Sequence, residues 1–138
     1  MSPRPTGRTS ACGDVEAEAR LDQARAFLQV AGLVGDQDDE VATPNVSASL
    51  AVLAGVAASD AVCCAALGRR PRGQDQRQAV ALLSQVVDIG QPMARDLTRL
   101  LSLKDDAHYG VLQVSGQRLT AALRQARHLV GAAEDFLE

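Results

Sequence analysis

Aromatic side chains are nearly missing from this 138-residue chain: they make up 2% of it, Trp is absent, and Tyr109 is the only Tyr. That scarcity excludes the stacked aromatic platforms on which nucleic-acid binders hold bases. Few segments show the β-branched and aromatic alternation of strands either, so helices are expected to dominate. The two His and three Cys form no zinc-ligand spacing. No Gly-rich run ends in Gly-Lys-Ser/Thr, and no nucleophile elbow is present. Neither a metal nor a cofactor is expected. A surplus of positive charge is lacking too: 14 Lys and Arg stand against 17 Asp and Glu, for a net charge of −3. Any contact with phosphate must therefore come from a local patch. There is no N-terminal apolar run to act as a secretory signal. With Cys12, Cys63 and Cys64 odd in number, the expected setting is a reducing cytoplasm.

What the chain does contain is helical periodicity, in a length that suits one domain with a real core. Residues 1–13 carry two Pro and two Gly without an apolar period. They are expected to be a disordered lead, with Cys12 an incidental thiol in it. The domain is expected over 14–138. Asp14 suits an N-cap, and Ala17, Leu21, Ala24, Leu28 and Ala31 recur at four and three, predicting an amphipathic helix to near Gly35. After an acidic loop, Asp36–Glu40, the pair Thr43-Pro44 marks a second helix start. Asn45–Gly68 follows, the most apolar stretch. Its length would suit a membrane span, but Asp60 interrupts it and Ala, Ser and Gly insert weakly. A buried central helix is expected, with no membrane partner, and Cys63 and Cys64 serve as small core residues. Asp75 is expected to cap a helix that buries Ala79, Leu82, Leu83, Val86, Val87 and Ile89 before Gly90. Pro92 restarts another, with Met93, Leu97, Leu100 and Leu101. The longest clean period, Leu112 to Leu137, makes a seam for packing along a neighbour. The expected fold is all-α, a four-helix-bundle-like domain with about five helices.

Chemistry-bearing residues gather in three places. Asp60 is a carboxylate inside the most apolar helix; it must be paired, exposed or hydrogen-bonded, and its sharper reading is to orient a cation or a site His. Arg69, Arg70 and Arg72 make the one concentrated positive patch, suited to phosphate or an acidic partner. Lys104-Asp105-Asp106-Ala107-His108-Tyr109-Gly110 is a polar corner between two apolar patterns. His108 can move a proton near neutral pH. Lys104, four residues earlier, shares its face if the helix continues. Asp105 and Asp106 are candidates to orient His108, and the Tyr109 hydroxyl to hold a phosphate. His128, among polar residues, is expected to be surface decoration.

At this corner the chain resembles the HEPN superfamily, helical bundles that include bacterial toxin and defence ribonucleases, in an actinobacterial branch. The family's signature is an Arg and a polar residue, a short gap, then His with Tyr close behind; Lys104-Asp105, two residues, His108-Tyr109 looks like it. Lys104 stands in the Arg position, and the gap is shorter than usual. The resemblance implies a HEPN-type domain that cuts RNA without metal, as a homodimer, within a toxin–antitoxin or defence system. A nucleotidyltransferase-like antitoxin is the implied partner. By the same resemblance His108 is the general acid/base, Lys104 steadies the phosphate and Asp105 orients them. Two other readings stand beside it. One is a non-catalytic binding module using this corner and the Arg69–Arg72 loop; the other is a homodimeric assembly protein that pairs through the Leu119–Leu137 seam.

Overall fold

The helix around which the others gather is α2 (Pro44–Leu67), 24 residues made mostly of Ala, Val and Ser. Pro44 at its first position is pre-set for helix, and Ala is the strongest helix former. In a computed structural model, described here over residues 8–36, 44–73, 75–109 and 113–138, α2 is covered by α1 (Asp14–Gly35), α4 (Gly90–Tyr109) and α5 (Gly116–Leu137). A fourth partner, α3 (Gln76–Ser84), is short and leans on α4. The fold is an all-α bundle. Small side chains explain the close approach. A Cβ on Gly55 would come within 2.6 Å of Leu100 Cδ1 and 3.1 Å of Leu129 Cδ1, so glycine lets α4 and α5 close over α2. Leu83, Leu97, Leu100 and Leu129 are fully buried in the core, each contributing about 1.5–3 kcal/mol by leaving water.

By length and composition α2 alone among the described residues is apolar enough to cross a membrane, yet 67% of that stretch is buried inside the protein. The small-residue helix is spent on its own bundle. The α5 period is spent the same way: Leu119, Ala126, Val130 and Ala133 all lie in this core. The seam expected to pair two copies therefore packs within one chain.

Several local expectations change. A strand, β1 (Thr9–Ala11), lies where a structureless lead was expected, and pairs antiparallel with β2 (Arg69–Pro71), Ser10 opposite Arg70. Cys12 is no incidental thiol: it forms a disulfide with Cys64 across a sequence separation of 52 residues. Two backbone bonds reinforce the strap, from Cys12 N to the Gly68 carbonyl at 3.0 Å and from Arg72 N to the Arg8 carbonyl at 2.9 Å. Gly68 turns the chain from α2 into β2 with φ +70°, the left-handed region that suits glycine. The N-cap of α1 is Gly13, one residue before Asp14, and its N–H donates to Glu16 Oε2 at 2.9 Å. That bond holds the Glu16 carboxyl below its ordinary range. The third helix stops at Ser84 instead of reaching Ile89. Asp88 takes φ 71°, and Gly90 sits so close to the Leu83 carbonyl that a Cβ there would be 2.5 Å away. The polar corner is not a loop: Lys104 to Tyr109 are the last turns of α4. Thr43, Leu112, Gly110 and the acidic positions beyond Asp36 lie outside the described residues.

Candidate functional site

Asp60 has a partner the sequence does not announce. Arg20, from α1, places Nη2 2.9 Å and Nε 3.1 Å from Asp60 Oδ2. Arg70 reaches the same oxygen at 3.9 Å from β2. The carboxyl is 8% exposed, and burial pushes it above its ordinary value while Arg20 and then Arg70 pull it back. A buried carboxylate with one guanidinium bound edge-on and a second close by is satisfied, and it also positions Arg70. One turn further along α2, Cys64 anchors the strap that carries Arg70. The neighbouring Cys63 is a buried free thiol, pushed up to about 12 by burial and the Asp60 charge. At that value it is no nucleophile near neutral pH.

Asp60 and Arg70 stand in the wall of a cleft of about 330 Å³ between α2, β2, the start of α3 and the end of α4. Arg72, Lys104 and His108 line the same cleft. Lys104 and His108 come one turn apart on α4, sharing a face as their spacing allows. Arg70 and Arg72 arrive from the strap. The floor is aliphatic, from Val52, Val56 and Leu101, and Asp75 lies at the rim. Its carboxylate is engaged in capping α3, accepting from Arg77 N at 3.0 Å. Five of the residues singled out from sequence thus meet in one place, brought from three elements.

The others fall outside it. Arg69 points toward the α3–α4 turn, where Nη2 donates to Gln85 Oε1 at 3.3 Å. Asp105 is exposed on α4 and does not line the cleft. Asp106 does not orient His108; its carboxylate pairs with Arg118 of α5 at 3.1 Å. Tyr109 ends α4. His128 is exposed, 3.8 Å from Asp96.

What holds His108 is Ser49, which carries no signal in a helix made of Ala, Ser and Val. Its Oγ lies 2.8 Å from His108 Nδ1 in a half-buried position. A hydroxyl both donates and accepts, so either tautomer completes that bond. Asn45, one turn earlier on α2, fixes the end of α4 from beneath. Its Nδ2 donates to the Asp106 carbonyl at 3.1 Å, and its Oδ1 accepts from Val114 N at 2.7 Å. The site is thus an imidazole bonded to α2 in a cleft that Arg70, Arg72 and Lys104 also line, beside the aliphatic Val52, Val56 and Leu101. No protein-family model matches the chain, and none of the curated proteins compared with it does.

Proposed function

We propose that the cleft binds a phosphodiester of RNA and that His108 moves a proton in its metal-independent cleavage, as the HEPN resemblance implies. The observation that carries this reading is the convergence of Arg70, Arg72, Lys104 and His108 on one cleft, in a chain whose net charge is −3. Cations placed beside a phosphate take up the negative charge that develops there. In the reaction the 2′-hydroxyl loses its proton and bonds to phosphorus. The bond to the 5′-oxygen breaks, and that oxygen takes a proton. The products are a 2′,3′-cyclic phosphate and a 5′-hydroxyl. His108 serves one of the two proton transfers, and a second copy of the chain in a homodimer supplies the other. A nucleotidyltransferase-like antitoxin belongs to the same reading; the cytoplasmic setting expected from free thiols runs against the Cys12–Cys64 bond, since a reducing cytosol keeps thiols unpaired.

The test uses total RNA in EDTA. The wild type is expected to leave cyclic-phosphate ends, with His108→Ala slower by about 10²–10⁴-fold, the usual contribution of general acid–base catalysis. If both proteins cut equally, His108 is not the proton carrier. A binding module without cleavage is favoured by one feature: Lys104 stands where the family has Arg. An ammonium holds phosphate as a point charge and lacks the planar fork. RNA bound but left whole by the wild type decides for that module.

A further inference from the structure

The cleft does not end at Leu101. Leu101 and Gln76 also line a second depression, of about 490 Å³, between α3 and α4. Val80 and Thr98 carry that one into a third, of about 420 Å³, which reaches Gln91 at the start of α4. Together they form one groove that starts at Lys104 and follows α4 back to Gln91, about 20 Å at 1.5 Å per helical residue. Arg77, Arg95 and Arg99 line its outer stretch, and no carboxylate does. Arg99 is shared with Asp96, whose carboxylate is 4.0 Å away, while all three arginines are exposed. In an acidic protein, three arginines facing a carboxylate-free groove make a local field for an anion chain.

We infer that this α3–α4 groove is a track for single-stranded RNA, leading its flanking nucleotides away from the cleft. The inference rests on the phosphate reading of that cleft. Arg77 lines the second depression from α3, and Arg95 and Arg99 line the third from α4, so a backbone following the groove meets cations from one wall and then from the other. The aliphatic floor of Val80, Ala81 and Leu101 takes sugar and base faces, and guanidinium planes provide the stacking that this chain cannot draw from aromatics.

The test is binding of 2′-O-methyl oligouridines, which lack the attacking hydroxyl and stay intact. A dinucleotide fills the cleft alone; an octanucleotide also occupies the groove. The octamer is expected to bind at least tenfold tighter than the dimer. The triple variant Arg77→Ala/Arg95→Ala/Arg99→Ala should erase that gain and leave dimer binding unchanged. For the octamer its plot of log K against log salt should be shallower by about 2, at about 0.7 for each phosphate contact. Dimer and octamer binding alike, with the triple variant silent, overturns the track, keeps the cleft and leaves the groove to an acidic protein segment. Failure of both oligonucleotides to bind, in wild type and in Lys104→Ala, overturns the phosphate reading itself.

Discussion

Ser49 and Asp60 show how single residues divide the labour of the cleft. Ser49 acts through His108, as a positioning residue. On the proposed ribonuclease reading, its change to Ala is expected to lower kcat about tenfold or more with little change in KM, and to move the pH profile, whereas a packing defect would leave that profile in place. Asp60 acts through Arg70. Because burial raises its carboxyl above the ordinary 3.8, the folded protein holds that proton more tightly than the unfolded chain. The stability this group adds is complete below 3.8 and is lost as pH rises through the raised value. Urea titrations of wild type and Asp60→Asn across acid pH should therefore show the wild type losing ground relative to the variant. A flat difference would mean that Arg20 and Arg70 balance burial, and a wild type gaining ground as pH rises would mean that they outweigh it. Asp60, Arg70, Arg72, Lys104 and His108 were legible in the sequence because each is a rare charge or imidazole in an apolar or basic context. Ser49 and Arg20 were not: one is a Ser among many, and the other meets Asp60 across 40 residues of chain.

Among the elements, the turns set the site more than the helices do. Gly68, at φ +70°, sends the chain from α2 into the strap that presents Arg70 and Arg72. Gly68→Ala places a Cβ in the left-handed region and should cost about 1–2 kcal/mol in chemical unfolding, and loosen Arg70 and Arg72 with it. Gly90→Ala meets the Leu83 carbonyl, a backbone atom that cannot turn aside, and should destabilise by about 1–3 kcal/mol, as overpacking does. An unchanged midpoint in either variant would show that the neighbouring backbone yields. Helix periods made the bundle readable, with Pro44 and Asp75 marking two of its starts. The short β1–β2 pair left no period to read, since three residues are too few to alternate. The continuation of α4 through Lys104–Tyr109 was masked by its charges, which look like a loop but point outward from a helix whose buried side is Leu100, Leu103 and Ala107.

Over the whole molecule, the Cys12–Cys64 bond ties the chain's first described strand to its central helix. Cysteine spacing alone cannot name such a pair. Cross-linking residues separated by 52 positions removes chain entropy from the unfolded state worth about 4 kcal/mol. Cys12→Ser is expected to lose stability up to that amount by urea unfolding in the absence of reductant, with wild type in reductant falling to the same midpoint. A wild type indifferent to reductant would show that the pair is not bonded in solution. The course of α4 has one more consequence, for how the molecule can be watched. With no Trp in the chain and Tyr109 its only Tyr, the residue after His108 on the last turn of α4 is the sole phenol. Tyrosine emission therefore arises from one position, at the end of α4, and a change in it on adding an oligonucleotide reports from that helix end without any label.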